Sequence, residues 1–550
     1  MEENPKKKKG HASTIIILFL LIVIVCLCVY MFYTKNSNNE SAEMITNTQQ
    51  EEKIQVQEEA KKYSPYTIKN NSLNYFDLAF LKFENENKNK IYSPLSIKYT
   101  LEMLSEGATG NTKAQIDDVI GEYKGKVYNN TSNISLANSL FVRDTYKGKI
   151  KENYINNLKT KYGAEVQFDS FASSNNINKW ISNKTFNLVN NMLDNTTVSN
   201  PNFNYALVNA LAIDMDWEDK FLAHQETEPN YKHEKFYFSS PRYLVSGNFE
   251  NNSNKISGMQ IMTSINNYDV VKDIGESKMR EDVGNEYQKF LNECKAKNFP
   301  TTDYPNKENY LNTYIEDINK NYKNVTTNTD YSFYVDNNTK VFGKDLKEYD
   351  NINLEYIAIM PTNEDLTTYI QNVDAETINK LISSMKDLKS ENFEEGKITV
   401  IDGYIPKFKF DYQINLMDDL KKMGITDAFD ETKASLDGIS DDGAYIGNAS
   451  HKANIEFTQD GIKAAAATTI GGLGGGTFFD YNYDVPVEKI DLTFNKPYMF
   501  LIRDKDSGEI WFAGTVYEPL QLNKEAQQDL IAEKAEFHIN DLNTVYTDMY

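Results

Sequence analysis

The chain has 550 residues, is 40% hydrophobic and 12% aromatic, and carries a formal net charge of -22, a balance that fits a globular protein with a large core and argues against a disordered one. An acidic body without a long basic stripe repels phosphate, which speaks against nucleic acid as a partner. Of the three cysteines, Cys26 and Cys28 share one apolar run and only Cys294 lies in the body, so no internal disulfide staples the soluble part.

In chain order, Lys6, Lys7, Lys8 and Lys9 precede a charge-free apolar stretch at 13–33, long enough as a helix to cross roughly 30 Å of hydrocarbon. A cleaved signal peptide would have an apolar core of about 7 to 15 residues ending at a small-x-small site. Neither condition holds here, so 1–12 reads as a cytoplasmic basic tail and 13–33 as a retained transmembrane anchor, with the body outside the cell. Residues 34–71, rich in Asn, Gln, Glu and Lys, read as a stalk. Folded sequence starts near Ser72. Leu73, Phe76, Leu78, Ala79 and Leu81 suit a helix, Ile91 and Tyr92 a short strand, and Ile97, Leu101, Met103 and Leu104 a second helix that stops at Gly107. A third helix runs through Ile116 and Val119, and strands gather later, which is the order of an α+β protein. Between 272 and 332, Tyr287, Phe290 and Leu291, then Tyr310, Leu311, Tyr314, Ile315 and Ile318, recur at helical spacing around a turn at 301–306. This predicts a helical hairpin, either a partner-binding exosite or an inert elaboration. An acidic extension, 520–550, ends the chain.

The stretch 451–494 organises the rest. A strand over 453–458 leads through Gln459, Asp460 and Gly461 to Ile462, Lys463, Ala464, Ala465, Ala466, Ala467 and Thr468, and then to a glycine run at 471–476. Alanine is the best helix former, so one reading is a short helix with a flexible glycine linker. In the other, Ile462, Ala464, Ala466, Thr468 and Ile470 share one face at a period of two, all small or β-branched, and form a strand that fits between two others without overpacking.

Several short motifs carry a resemblance. Tyr-Ser-Pro-Leu-Ser at 92–96, Gly-Ala-Thr-Gly-Asn-Thr at 107–112, Ala-Asn-Ser-Leu-Phe at 137–141, Ile-Asn-Lys-Trp at 177–180 and Leu-Val-Asn-Ala at 207–210 stand in the order found in serpins. So do Trp217, His451 with Lys452, the tract 461–468, Phe-Asn-Lys-Pro-Tyr at 494–498 and Phe-Ala-Gly at 512–514. From 72 to 519 the chain resembles a serpin, with 272–332 as an insertion. The resemblance implies three β-sheets, about nine helices, and an exposed reactive-centre loop that a target protease cleaves. The loop then enters a sheet as a new central strand and carries the acylated protease with it, an established instance of strand addition.

The same resemblance assigns residues. Gln459, Asp460, Gly461, Ile462, Lys463, Ala464, Ala465, Ala466, Ala467 and Thr468 match the loop's hinge. Ser93, Ser96, Asn209 and His451 match the shutter beneath the point where the sheet opens, and Trp217 matches the aromatic of the breach above it. Gln459 stands where the family usually has an acidic residue and Ile462 where it has Thr or Ser, and the loop is longer than usual. Family spacing puts the bait bond after Gly475, where a Gly-Gly bond offers a protease no side chain. The candidate scissile region is therefore Leu473, Gly474, Gly475, Gly476, Thr477, Phe478 and Phe479, which implies a serine or cysteine protease with an apolar primary pocket. Alternatively, the protein is a non-inhibitory member that displays its loop as a cell-surface binding or adhesion protein.

Motifs of catalysis are missing from the sequence. No H-E-x-x-H, G-x-S-x-G, Walker A or paired C-x-x-C occurs, and the glycine run lacks the Lys-Ser/Thr of a phosphate loop. His11, His224, His233, His451 and His538 are scattered, and His233 has no second histidine four residues on. The expectation is a protein that is no enzyme and needs neither cofactor nor metal.

Overall fold

The computed structural model describes residues 73–121, 123–126, 128–223, 242–298, 300, 306–323, 331–462 and 486–522. The tail, anchor and stalk at 1–71, the hinge residues from Lys463 to Thr468, the bait region from Leu473 to Phe479 and residues 523–550 lie outside the described residues.

Helix α1 (Tyr75–Phe83) begins at a capping box, with the Phe76 N–H donating to Asn74 Oδ1 (2.8 Å) and the Asn74 N–H to Asp77 Oδ2 (2.9 Å). After β1 (Lys90–Tyr92), Ser93 caps α2 (Pro94–Ser105): its Oγ accepts from the Ser96 N–H at 3.0 Å, and Pro94 follows in the first turn, where its missing N–H costs nothing. Next come α3 (Gly110–Ile120), β2 (Ile134–Arg143), α4 (Glu152–Tyr162), β3 (Glu165–Asp169), α5 (Asn175–Lys184), α6 (Asn195–Ser199), β4 (Tyr205–Ile213) and β5 (Met215–Asp216). The strands β6 (Leu222–Ala223), β7 (Arg242–Phe249) and β8 (Asn252–Asn267) lead to the insertion, built of α7 (Val270–Ile274), α8 (Glu276–Lys297) and α9 (Lys307–Lys323). Beyond it lie β9 (Tyr331–Val335), β10 (Thr339–Asp345), β11 (Leu354–Pro361), α10 (Leu366–Asn372), α11 (Ala375–Ser383), β12 (Lys386–Asp387), β13 (Lys397–Pro406), β14 (Phe408–Asn415) and α12 (Leu416–Lys422). The last elements are β15 (Ser450–Phe457), β16 (Gly461–Ile462), β17 (Val487–Asp491), β18 (Tyr498–Asp504) and β19 (Ile510–Val516).

The expected hairpin of helices is present, with α8 and α9 packed on one another and α9 on β8. The described residues hold twelve α-helices, more than the expected nine or so, and three of them, α7 to α9, fall between 270 and 323. The sheets differ in count from the expectation. Strand pairing gives four ladders: a seven-stranded sheet (β1-β19-β18-β11-β10-β9-β12), a five-stranded sheet (β17-β13-β8-β7-β6), and two smaller ones, β14-β15-β16-β5 and β3-β2-β4. The last two are halves of one sheet. β4 and β5 are almost one strand, interrupted at Asp214, and the lower part pairs with β2 while the upper part pairs with β16. The main core lies between this split sheet and the seven-stranded sheet, where Phe457, Phe408, Tyr356 and Phe500 stack on one another. A second, separate cluster fills the space between the helical hairpin and one face of the five-stranded sheet.

Candidate functional site

The site is built around the end of β15. Its burial alternates strictly, with His451, Ala453, Ile455 and Phe457 inside, the mark of a strand with one face on the core. At Thr458 the chain turns and returns as β16, which pairs with β15 through Phe457 and Ile462 and with β5 through Gly461 opposite Asp216 and Ile462 opposite Met215. Within the hinge, Gly461 and Ile462 are thus a two-residue strand seated between β15 and β5. Ile462 is buried, so its β-branched side chain meets the demand that Thr or Ser meets in the family pattern. Gly461 owes its identity to close approach: a Cβ there would stand 2.1 Å from the Met215 carbonyl oxygen.

Below this point β4 and β15 part. No ladder joins them among the described residues, and the gap holds a narrow cavity of about 20 Å³ that opens to the surface. Leu211, Ala212 and Ile213 of β4 line one side, Asn454, Ile455 and Glu456 of β15 the other, and Ile462 closes the top. Ile91, Ile502 and Phe512 from the seven-stranded sheet line it as well, as do Leu188 and Val189. The walls are mostly apolar, and among the described residues each strand has one edge without a ladder partner along the gap.

Trp217 holds the top. Its indole N–H donates to the Thr458 carbonyl (2.9 Å) and its backbone N–H to the Asp460 carbonyl (3.0 Å), while the ring stands edge-on to Phe221, Tyr356 and Phe457. The Phe221 N–H donates to the Gln459 carbonyl at 3.0 Å, so the turn at 458–460 is gripped through its backbone. Gln459 takes a bond at Oε1 from Lys407 Nζ (2.7 Å) and donates through Nε2 to Asp460 Oδ2 (2.9 Å). Burial pulls the Lys407 ammonium down to about 8. Burial also raises the Asp460 carboxyl, against the pull of Lys220 and Lys407. Sequence reasoning passed over Lys407, since a lone lysine after Pro406 shows no pattern, and only the fold carries it to Gln459.

At the lower end, His451 Nε2 accepts from the Ser93 backbone N–H at 2.9 Å. Burial holds the imidazole down to about 4, so it is neutral, as an accepting nitrogen requires. Ser93, Ser96 and His451 are therefore together at the N-terminus of α2. Asn209 stands apart from them on the other half-sheet. It donates through Nδ2 to Asn138 Oδ1 (2.8 Å) on β2, and Asn138 in turn donates to the Tyr162 carbonyl. Its own Oδ1 is buried without a hydrogen-bond partner. The resemblance grouped Asn209 with His451, and in this structure the open gap lies between their strands. Asn138 was legible only as part of the motif at 137–141, with no sign of its role. Trp180 and Trp511 pack in the interior, and Trp180 donates to Glu165 Oε2.

A family model described as Serpin (serine protease inhibitor) matches residues 71–241 and 301–519, which leaves α8 outside the match and places α9 within it, so the unmatched stretch differs from the expected insertion at 272–332. Human Serpin B4 is 23% identical over 481 residues, covering 81% of this chain and 97% of its own length. An uncharacterized serpin-like protein of Methanosarcina acetivorans is 23% identical over 489 residues, covering 82% of this chain and 90% of its own. Among solved structures, the native state of the thermophilic serpin tengpin matches with a TM-score of 0.52 at 20% identity, over 83% of this chain and 96% of that one. Human thyroxine-binding globulin in its ligand complex matches with a TM-score of 0.52 at 18% identity, over 81% and 97%. At these identities the structural likeness speaks for the fold.

Proposed function

The chain belongs to the serpin family, whose members are generally protease inhibitors, and from that premise we propose that it traps its target as a suicide substrate. The loop beyond Ile462 is cleaved, and its hinge side enters the gap between β4 and β15 as a new strand. The observation that carries this reading is the hinge itself, where Gly461 and Ile462 sit as β16 at the mouth of an apolar gap whose flanking strand edges have no ladder partner among the described residues.

Continued in the register that Ile462 holds, Ala464 comes level with Ile455 and Ile213, Ala466 with Ala453 and Leu211, and Thr468 with His451 and Asn209. The small residues then meet the buried face, and Thr468 brings a hydroxyl to the unpartnered Asn209 Oδ1. Each backbone bond gained is worth about 0.5–1.5 kcal/mol net, so filling both edges amounts to about 10 kcal/mol or more before ordering costs. The target is a serine or cysteine protease with an apolar primary pocket, cutting between Leu473 and Phe479. Incubation with chymotrypsin-, subtilisin- and elastase-type proteases should yield a covalent, detergent-resistant complex and a freed peptide that begins within that region. Cleavage by several of them with no complex and no gain in heat stability would leave the displayed-loop reading in its place, that of a binding protein without inhibition.

We further infer that 13–33 anchors the protein in the cell membrane with its N-terminus inside and the serpin domain outside. The support is the run of apolar residues after four lysines. Among the described residues no helix is long and apolar enough to cross a membrane, and 13–33 lies outside them. Protease shaving of intact cells should release the domain, whereas a soluble form cut near Tyr33 would remove the anchor from the account.

A further inference from the structure

The loop is held at two ends. On the near side Ile462 sits in β16, and on the far side the Ile398 N–H donates to the Pro486 carbonyl (2.9 Å) where β17 begins its parallel ladder with β13. An uncleaved loop that entered the gap would have to draw chain from the far end, peeling β17 from Val487 onward.

The two ends of β17 are secured differently. Past its C-terminal end, the Leu492 N–H donates to the Asp402 carbonyl and the Phe494 N–H to the Tyr404 carbonyl, both at 2.8 Å, and both side chains are fully buried in the main core. Gly403 admits this close approach, since a Cβ there would lie 2.3 Å from the Leu492 carbonyl carbon. At the N-terminal end, Glu488 and Lys489 are exposed, and the ion pair of Glu488 with Lys397 (2.8 Å) is largely solvated and worth little. What remains is Val487. It packs into the second hydrophobic cluster, where Met279, Val283 and Leu311 of the helical hairpin cover Ile398 and Val400 of β13. Without the hairpin, that face of the sheet would meet water.

We propose that the α8–α9 hairpin is a clamp on β17 that keeps the uncleaved loop out of the split sheet. The proposal rests on the trapping reading and adds its control: the insertion guards the end of β17 at which peeling starts. In a Val283→Ser, Leu311→Ser variant of the full chain, which leaves β13, β17 and the hinge untouched, the β17 amides should exchange hydrogen at least tenfold faster while those of β18 and β19 keep their rates. Conversion of the uncleaved protein to a heat-resistant form should also quicken at least tenfold. Ile398 and Val487 are ladder partners, within reach of a disulfide, so adding Ile398→Cys and Val487→Cys should reverse both effects until a reductant is added. Unchanged β17 exchange in the folded variant, or faster exchange with an unchanged conversion rate, overturns the clamp. Should the double variant not fold, Val487→Ala carries the same test with an expected change of at least threefold. Loop cleavage of the unaltered protein is the control for the premise. If cleavage gives no gain in heat stability, the trapping reading falls and the clamp with it, while a gain beside unchanged conversion removes the clamp alone.

Discussion

The seven-stranded sheet and the split sheet use the same kinds of residue and end in opposite conditions. β11 and β18 are buried along nearly their whole length and each has a ladder partner on both sides, β10 and β18 for the one and β11 and β19 for the other. β15 alternates between inside and surface, and among the described residues β4 and β15 each face the gap with an edge without a ladder. One sheet has little left to gain. The other, among the described residues, has edges without ladder partners and an apolar slot between them, which is what the proposed entry of the loop would fill.

The sharpest way to break this contrast is to make entry impossible. Ala466→Arg would set a guanidinium level with Ala453 and Leu211, both buried, at a cost of several kcal/mol for an unpaired charge. Loop cleavage of this variant should give no gain in melting temperature and no covalent complex, while the uncleaved protein melts as before. A full gain after cleavage would show that Ala466 never enters the sheet.

Acid should act on the lower end of the split. The His451 imidazole is held down to about 4 from the ordinary 6.5, so the unfolded chain binds the proton more readily than the fold does. Stability from this group is complete above about 6.5 and is lost as pH falls towards about 4, by on the order of 3 kcal/mol. His451→Gln keeps an acceptor for the Ser93 N–H and cannot titrate, so its urea midpoint should fall less between pH 7 and pH 4.5 than that of the unaltered protein. Parallel curves would place the acid sensitivity elsewhere. At the upper end, Gly461→Ala forces its methyl against the Met215 carbonyl and should cost about 2 kcal/mol, with faster exchange at 461–462. An unchanged melting temperature would mean that the contact gives way freely.

Much of the local structure was legible because its causes are local. Ser93 before Pro94 announces the start of α2, and the spacing of Tyr310, Leu311, Tyr314 and Ile315 announces α9. The period of two from Ile462 onward marked a strand in waiting; Gly461 and Ile462 form the strand β16, and the rest of that stretch lies outside the described residues. The split was not legible, because a missing ladder between β4 and β15 is a relation between segments more than two hundred residues apart, each of which reads as an ordinary strand. The same holds for Asn138 beside Asn209, for Lys407 beside Gln459, and for Val487 against the cluster that the hairpin shares with β13, where no periodicity links the partners. The motifs named a hinge and a shutter, while the pairing of each polar side chain depended on which half of the sheet it rode.

The smallest expected effect tests how firmly the turn above the gap is held. Gln459 gives Lys407 a neutral partner, and burial leaves that ammonium at about 8 instead of its ordinary 10.5. Gln459→Glu would supply a charge at the same 2.7 Å position and lift the Lys407 pKa back up. The gain is limited, because the change removes the N–H that Gln459 donates to Asp460 and brings two carboxylates together. A net stabilisation of about 1 kcal/mol at pH 7 is the expected balance. Raising a lysine's folded pKa adds stability that is present at low pH and is lost as pH rises through the new value. The variant should therefore melt a few degrees higher than the unaltered protein at pH 7, with an advantage that shrinks by pH 10. It should also slow entry of the hinge after cleavage, since Gln459 and Asp460 lie at the turn from which the new strand must unroll. An advantage that persists unchanged at pH 10 would mean that Lys407 is not its source.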